Sequence, residues 1–280
     1  MIISSIGYGY LAKYLLKELS YHGAFGIGIT SKKNINFSNQ HNNIKIYDRD
    51  KTPYAISFST HLLITAPPYR KGCPVLINYS KYIKSSNVKC ILYISTTGVY
   101  GNHKGSWVNE KSKAKSLFAI DKNRLKAERE WMEFCKKNKI ILNILRVSGI
   151  YGPERINNTL IVDKRIVVKK NHYFSRIHIS DISRIISKII FNTNTNCIWN
   201  LADDEPSTRE DYLLEIVRIK KIKKYKFIDY ERYEKTITRN LRKYWTNNKK
   251  VSNSKVKKIL NFDFMFPSYK QGLKNLKDYF

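Results

Sequence analysis

The chain has 280 residues, 42% apolar and 26% charged, and its 52 basic against 22 acidic side chains give a formal net charge of +30. An apolar fraction near the globular average excludes global disorder and suffices for one large domain or two modest ones. No stretch approaches the roughly 18 uninterrupted apolar residues of a membrane-crossing helix, and Met1-Ile2-Ile3-Ser4-Ser5-Ile6 lacks the basic start of a secretion signal, so a soluble, cytoplasmic protein with no membrane partner is expected.

Cys73, Cys90, Cys135 and Cys197 lie far apart, form no C-x-x-C and sit in apolar segments, which suits buried thiols in a reducing compartment. The six histidines show no metal-ligand spacing, and no metal is expected. The charge itself invites a polyanionic partner, but it is spread evenly: residues 1–150 carry +16 and residues 151–280 carry +14. Lys (38), Ile (36), Asn (25) and Tyr (20), all with A/T-rich codons, make up much of the chain, so a compositional bias accounts for the charge and a dedicated nucleic-acid surface ranks behind it.

In chain order, Ile2–Ile6 reads as a short strand, followed by a glycine-bearing turn and a helix with Leu11, Leu15 and Leu19 on one face, ending at His22-Gly23. Further strands are expected at 25–30, 44–47, 61–65, 88–95 and 140–146, with helices near 54–57, 75–85 and from about 114 to 137. Helices between strands of two-sided apolar character predict an α/β fold, a doubly wound parallel sheet with a small C-terminal substrate domain. Eleven of the twelve glycines lie at or before 152, where the texture changes. The expected division is 1–153 with 176–201 returning to it, against 154–175 with 202–280. Residues 176–192 are expected to be a helix and 197–201 a strand, and the lysine-rich 218–226 a solvated helix or strand edge.

The turn Gly7-Tyr8-Gly9-Tyr10-Leu11-Ala12 has the G-x-G-x-x-A pattern of a dinucleotide-binding loop in the strand-to-helix context the pattern requires. Gly7 permits the tight turn, Gly9 lets a pyrophosphate approach the main chain, and Ala12 lets helix and strand pack closely, while the helix start offers free N–H groups to the anion. At the end of the second strand, where a carboxylate would bind a ribose 2′-OH, stand Thr30, Ser31, Lys32 and Lys33. Two lysines and two hydroxyls favour NADP(H) over NAD(H), with NAD(H) kept as the alternative.

The fifth strand ends in Tyr93-Ile94-Ser95-Thr96-Thr97-Gly98-Val99-Tyr100-Gly101, and hydroxyls at the carboxyl end of a parallel strand face the ligand crevice. Here the chain resembles the extended short-chain dehydrogenase/reductase family, whose S-[ST]-x-x-V-Y-G segment this matches. The resemblance implies that Thr96 hydrogen-bonds the substrate and that Ser95 lies beside the cofactor. The same family carries Y-x-x-x-K ahead of A-E on the next helix; anchoring on Ala127-Glu128 puts Ile120 at the tyrosine position and Arg124 at the lysine position. Ile120, Arg124, Ala127, Trp131 and Cys135 share one helical face, expected to lie against the sheet.

Isoleucine transfers no proton, and arginine, with its very high pKa, binds a ribose but is a poor acid or base near neutrality. Tyr100 is carried as a candidate catalytic group with Thr96 and Arg124, and His103 and Glu110 as weaker replacements. The segments Thr60–Pro68, Gly105–Glu110, Leu145–Pro153, Arg176–Ile182 and Asn200–Pro206, with Asn248–Asn253, match in order an atypical, NAD-dependent epimerase/dehydratase-like branch. By that resemblance Ala66 and Pro67 line the cofactor's path, and Ser148 and Gly149 sit near the nicotinamide. Arg176, His178 and Asp181 read as joining structure, with an Arg–Asp pair at a strand-to-helix junction. The resulting expectation is an NADP(H)-dependent oxidoreductase or epimerase-like enzyme acting on a small, nucleotide-linked molecule as monomer or homodimer. A non-catalytic NADP(H) sensor or scaffold is the first alternative and a nucleic-acid-binding protein the second.

Overall fold

The computed structural model describes residues 1–31, 43–156, 165–238, 242 and 245–277. The chain divides into two compact units, one of Met1–Thr96, Ala119–Arg146 and Ile182–Trp199, the other of Thr97–Phe118, Val147–Asp181 and Asn200–Phe280.

The first unit is built on alternating strand and helix: β1 (Ile2–Ile6), α1 (Tyr10–Tyr21), β2 (Phe25–Thr30), β3 (Ile44–Asp48), α2 (Thr52–Phe58), β4 (His61–Ile64), α3 (Pro74–Lys84) and β5 (Cys90–Thr96). After β6 (Trp107–Val108), which lies in the second unit, come α4 (Ala119–Asn138) and β7 (Ile141–Val147). The sheet is completed by β12 (Cys197–Leu201), in the order β12-β7-β5-β4-β1-β2-β3. The pairings β3 to β2, β2 to β1, β1 to β4 and β4 to β5 are parallel, so the strand order reverses beside β1, where a doubly wound sheet opens a crevice at its carboxyl edge.

Short β-branched runs make these strands: Ile3, Ile27, Ile29, Ile64 and Ile91 are all buried. On α4, Ala127, Trp131 and Cys135 turn inward, and the Trp131 ring lies 6.4 Å from Tyr93 of β5. Ile120 departs from the expected face: it stands in the first turn, ahead of the stretch that meets the sheet, and is 56% exposed.

The second unit is made of shorter pieces: β8 (Gly149–Tyr151), β9 (Arg165–Val168), β10 (Tyr173–Phe174), β11 (Arg176–His178), β13 (Ser207–Thr208), α6 (Arg209–Ile219), β14 (Lys226–Asp229), α7 (Tyr230–Glu234), β15 (Lys250–Val251), α8 (Ser254–Leu260) and α9 (Tyr269–Asn275). Between β11 and β12 runs α5 (Ile179–Asn192). Strands pair two by two: β8 with β11, β9 with β14 and β6 with β15 in parallel, β10 with β13 antiparallel. Tyr151, Ile166, Tyr212, Ile216, Tyr269 and Leu273 form the main core here, and Val167, Tyr230 and Trp245 a smaller one. Helix α6 begins with a full capping box between Thr208 and Asp211, and α9 with one between Ser268 and Gln271.

Three expectations are corrected. Helix α4 starts at Ala119 rather than near 114; in the irregular segment ahead of it the N–H groups of Lys115 and Ser116 donate to the carbonyls of Tyr100 and Val99. Arg176–His178 is a strand, with the helix starting at Ile179, and Ser180 N–H donates to His178 Nδ1 across that junction at 3.2 Å. Cys197, expected to be buried, opens the edge strand β12 and is half-buried; all four cysteines are free thiols.

Candidate functional site

In the first unit, the β1–α1 turn is pinned from both neighbouring strands. The N–H groups of Gly7 and Tyr8 both donate to the Ile29 carbonyl, at 3.1 and 2.7 Å, and Thr65 Oγ1 donates to the Gly7 carbonyl at 2.6 Å. Gly7 has φ +106°, and a Cβ there would collide with Thr65 Oγ1. Only glycine takes that conformation at that approach.

Gly9 is the residue ahead of α1, in extended conformation with no side-chain cap, and a Cβ built on it meets nothing within 4 Å. Ala12 is fully buried and Leu11 nearly so, and α1 packs on β2 and β3. Tyr8 folds its ring over Gly28 of β2, where burial raises its phenol pKa, and Tyr10 is half-buried with its ring 5.1 Å from Tyr14. The side chains of Tyr8, Tyr10 and Leu11 are thus packed, and what the turn presents is main chain. This is a cradle a side chain would fill, and it fits a dinucleotide pyrophosphate.

At the end of β2, Thr30 is buried and Ser31 exposed; Lys32 and Lys33 lie outside the described residues. Ala66 follows β4, its N–H donating to the Ile6 carbonyl at 3.2 Å, and Pro67 is exposed beside it.

Ser95, expected beside the cofactor, has its hydroxyl committed within the fold. It is buried and donates to Glu128 Oε1 at 2.5 Å. The same carboxylate takes a two-pronged ion pair from Arg146 of β7, Nε at 3.1 Å and Nη2 at 2.7 Å. Glu128 has no exposure, so one charge ties β5, α4 and β7 together. Thr96, the last residue of β5, stays half-exposed. Arg124 is half-buried one turn before Glu128 on α4, and its Nη1 donates to the Ile94 carbonyl at 2.7 Å. Its charge opposes the strong rise that burial imposes on the Tyr93 phenol.

In the second unit, the proposed replacement acids are committed to structure. Tyr100, expected among the catalytic groups, is fully buried and donates its phenol proton to Asn200 Oδ1 at 2.7 Å. Glu110 Oε1 accepts the Asn200 N–H at 2.9 Å, and His103 Nε2 lies 3.2 Å from the Lys113 carbonyl. Gly101 has φ +72°, and a Cβ there would sit 2.8 Å from the Ser116 backbone, so V-Y-G is here a packed turn.

Ser148 is buried with its N–H on the Leu201 carbonyl at 3.0 Å, and Gly149 opens β8, its N–H on the Ser175 carbonyl at 3.1 Å. Arg176 donates to Ser207 Oγ at 2.8 Å and lies over the Tyr212 ring at 4.2 Å. Asp181 instead accepts the N–H groups of Met265 and Phe266, at 2.8 and 2.9 Å. Asp203 is buried, which raises its pKa well above the usual carboxylate value against the opposing charge of Arg176. Sequence reasoning used Glu128 only as an anchor and passed over Asp203, because the partners of Glu128 and the Arg176 charge that acts on Asp203 are distant along the chain.

Among the described residues, no three His, Cys, Asp or Glu side chains lie together as a metal site requires, and no helix is long and apolar enough to cross a membrane.

The sequence matches no family model and no curated protein. Its fold has many counterparts among solved structures. A functionally unknown conserved protein from Silicibacter pomeroyi DSS is 27% identical with a TM-score of 0.90, the match covering 99% of this chain and 98% of that one. UDP-glucuronic acid 4-epimerase from Bacillus cereus, solved with NAD, is 16% identical with a TM-score of 0.78, covering 99% and 96%. UDP-glucose 4-epimerase from Thermotoga maritima, solved with UDP-glucose, is 14% identical with a TM-score of 0.76, covering 99% and 97%. With its β1–Gly7–Gly9–α1 turn at the strand-order reversal, the chain has the fold of the NAD-dependent epimerase/dehydratase-like, extended short-chain dehydrogenase/reductase proteins.

Proposed function

We propose that the chain binds a nicotinamide dinucleotide, NADP(H) in preference to NAD(H), and acts on a small nucleotide-linked molecule as an oxidoreductase or epimerase-like enzyme of the cytoplasm. The β1–α1 turn carries this reading: Gly7 in a conformation closed to side chains, Gly9 facing open space, and a helix start whose N–H groups have no side-chain cap. A pyrophosphate is the ligand chemistry that uses such groups. The NAD and UDP-sugars in the epimerases of like fold support the substrate class.

Within the first unit, Gly7 to Ala12 would hold the pyrophosphate, Thr30, Ser31, Lys32 and Lys33 the adenosine ribose and its 2′-phosphate, and Ala66 and Pro67 the cofactor's flank. Thr96 orients the substrate and Arg124 binds the nicotinamide ribose. The nicotinamide ring, when bound, supplies a hydride acceptor or donor. Free thiols at Cys73, Cys90 and Cys135, all buried, support the reducing compartment.

The second reading is a non-catalytic NADP(H) sensor. One observation favours it: the residue at the phenol position, Ile120, is exposed and carries no proton, while Tyr100, His103 and Glu110 are committed to structural hydrogen bonds.

Titration calorimetry with NADPH and NADH, followed by incubation of the chain with NADP⁺ and a panel of UDP-sugars, tests both. Tighter binding of NADPH, reduced toward that of NADH in Lys32→Ala/Lys33→Ala, is expected. Turnover of a UDP-sugar supports the enzyme; binding without turnover selects the sensor; failure to bind either dinucleotide overturns both.

A further inference from the structure

We propose that the second unit carries a docking strip for single-stranded nucleic acid, running from Arg218 to Phe227 and separate from the dinucleotide turn. From Ile216 to Ile228 the sequence holds Arg218, Lys220, Lys221, Lys223, Lys224 and Lys226 and no acidic residue; of these Arg218 is paired with Glu215 at 3.2 Å, which leaves the five lysines to carry the strip. The fold turns this run outward. Helix α6 ends at Ile219, Lys221 takes a left-handed φ of 52°, and the Ile222 N–H closes on the Val217 carbonyl at 3.0 Å. Ile222 packs against the Tyr151–Leu273 core, which leaves every residue from Lys223 to Phe227 exposed.

That segment leads into β14, whose partner is β9 in a two-stranded sheet, with Lys226 opposite Arg165. Lysines on an open strand edge have an ordinary explanation, because they discourage edge-to-edge pairing with other chains. The exposed aromatic rings that alternate with these lysines work against that purpose. Tyr225, just ahead of β14, and Phe227 within it are 37% and 54% exposed, with ring centroids 5.6 Å apart. Cations that track a backbone beside exposed rings match the chemistry of an unpaired strand, whose phosphates and base faces are both available. A duplex keeps its base faces stacked inside and leaves the rings idle.

Fluorescence anisotropy of the full chain tests this, with labelled oligo(dT) of about 12 nucleotides and a mixed duplex of equal length, between ~50 and ~200 mM KCl. The single strand is expected to bind at least about tenfold more tightly than the duplex. Lys223→Gln/Lys224→Gln/Lys226→Gln is expected to weaken that binding and lower the slope of log K on log salt by about 2, at roughly 0.7 per phosphate contact. The exposed triple Lys258→Gln/Lys274→Gln/Lys277→Gln removes the same charge elsewhere in the second unit and is expected to leave affinity and slope nearly unchanged. Tyr225→Leu/Phe227→Leu keeps apolar volume without a π-face; it is expected to cost about fivefold or more per ring with the slope intact. Equal losses in the two lysine triples, indifference to the leucine pair, equal or tighter duplex binding, or capture by phosphatidylserine vesicles in place of the oligonucleotide would each overturn the proposal.

Discussion

Glu128 shows how much one side chain can decide. Its carboxylate has no exposure, yet it is fully compensated by Ser95 and by the two-pronged pair with Arg146. Removing one partner of such a pair strands a charge in the interior, which costs about 3–5 kcal/mol, whereas replacing both with apolar groups of similar volume is far milder. Glu128→Ala is therefore expected to lower the unfolding free energy by about 3–5 kcal/mol in urea melts, and Glu128→Leu/Arg146→Met by much less. Equal losses would show that shape and not charge holds the three elements together. The sequence marked Glu128 only as part of A-E, since Ser95 and Arg146 lie 33 and 18 residues away and no local pattern joins them. Ile120 departs from the expected face for the complementary reason: helical spacing assigns a face, but where that face leaves the sheet depends on where the helix starts, and a start at Ala119 puts Ile120 in the first turn.

At the scale of elements, the strand-turn-helix that opens the chain was legible because its chemistry is local: a β-branched run, two glycines and an apolar helical stripe within twenty residues. The two glycines nevertheless do different work. Gly7 is required by the fold, through its φ of +106° and the nearness of Thr65, while Gly9 meets nothing that a methyl group would strike. Gly7→Ala is thus expected to destabilise the chain by about 1–3 kcal/mol. Gly9→Ala is expected to leave the thermal midpoint in place and weaken dinucleotide binding, by setting a methyl group on the surface a pyrophosphate approaches. Thermal melts beside calorimetry separate the two; a Gly9→Ala variant that melts early but binds normally would reverse the assignment. The second unit was far less legible. Its strands are often only two or three residues long, too short for a period-2 pattern, and their pairing partners come from remote parts of the chain, as β6 with β15 and β10 with β13.

At the scale of the whole molecule, acid stability follows from where imidazoles and carboxyls are buried. In the second unit the His172 ring lies 4.7 Å from Phe174, and the His178 ring 4.2 Å from Phe266, both almost without exposure. Burial lowers each pKa from 6.5 to about 4, with Lys169 adding to the effect at His172. Above 6.5 both folded and unfolded imidazoles are neutral and the two histidines take nothing from the stability. Between 6.5 and about 4 the unfolded chain takes up protons that the folded chain refuses, so stability falls as pH falls, by up to about 3 kcal/mol per histidine. Asp203 acts with the opposite sign: its folded pKa is raised, so its contribution is full below the ordinary carboxylate value and is lost as pH rises through the folded one. An Asp203→Asn background removes that opposing limb. Urea melts of this variant at pH 7.5 and 4.5 are expected to show the steep acid loss, and adding His172→Gln and His178→Gln to flatten it. Fixed salt is essential, because a chain with 30 excess positive charges gains further self-repulsion as its carboxylates protonate. If the flattening does not occur, that repulsion and not the buried imidazoles sets the acid limit.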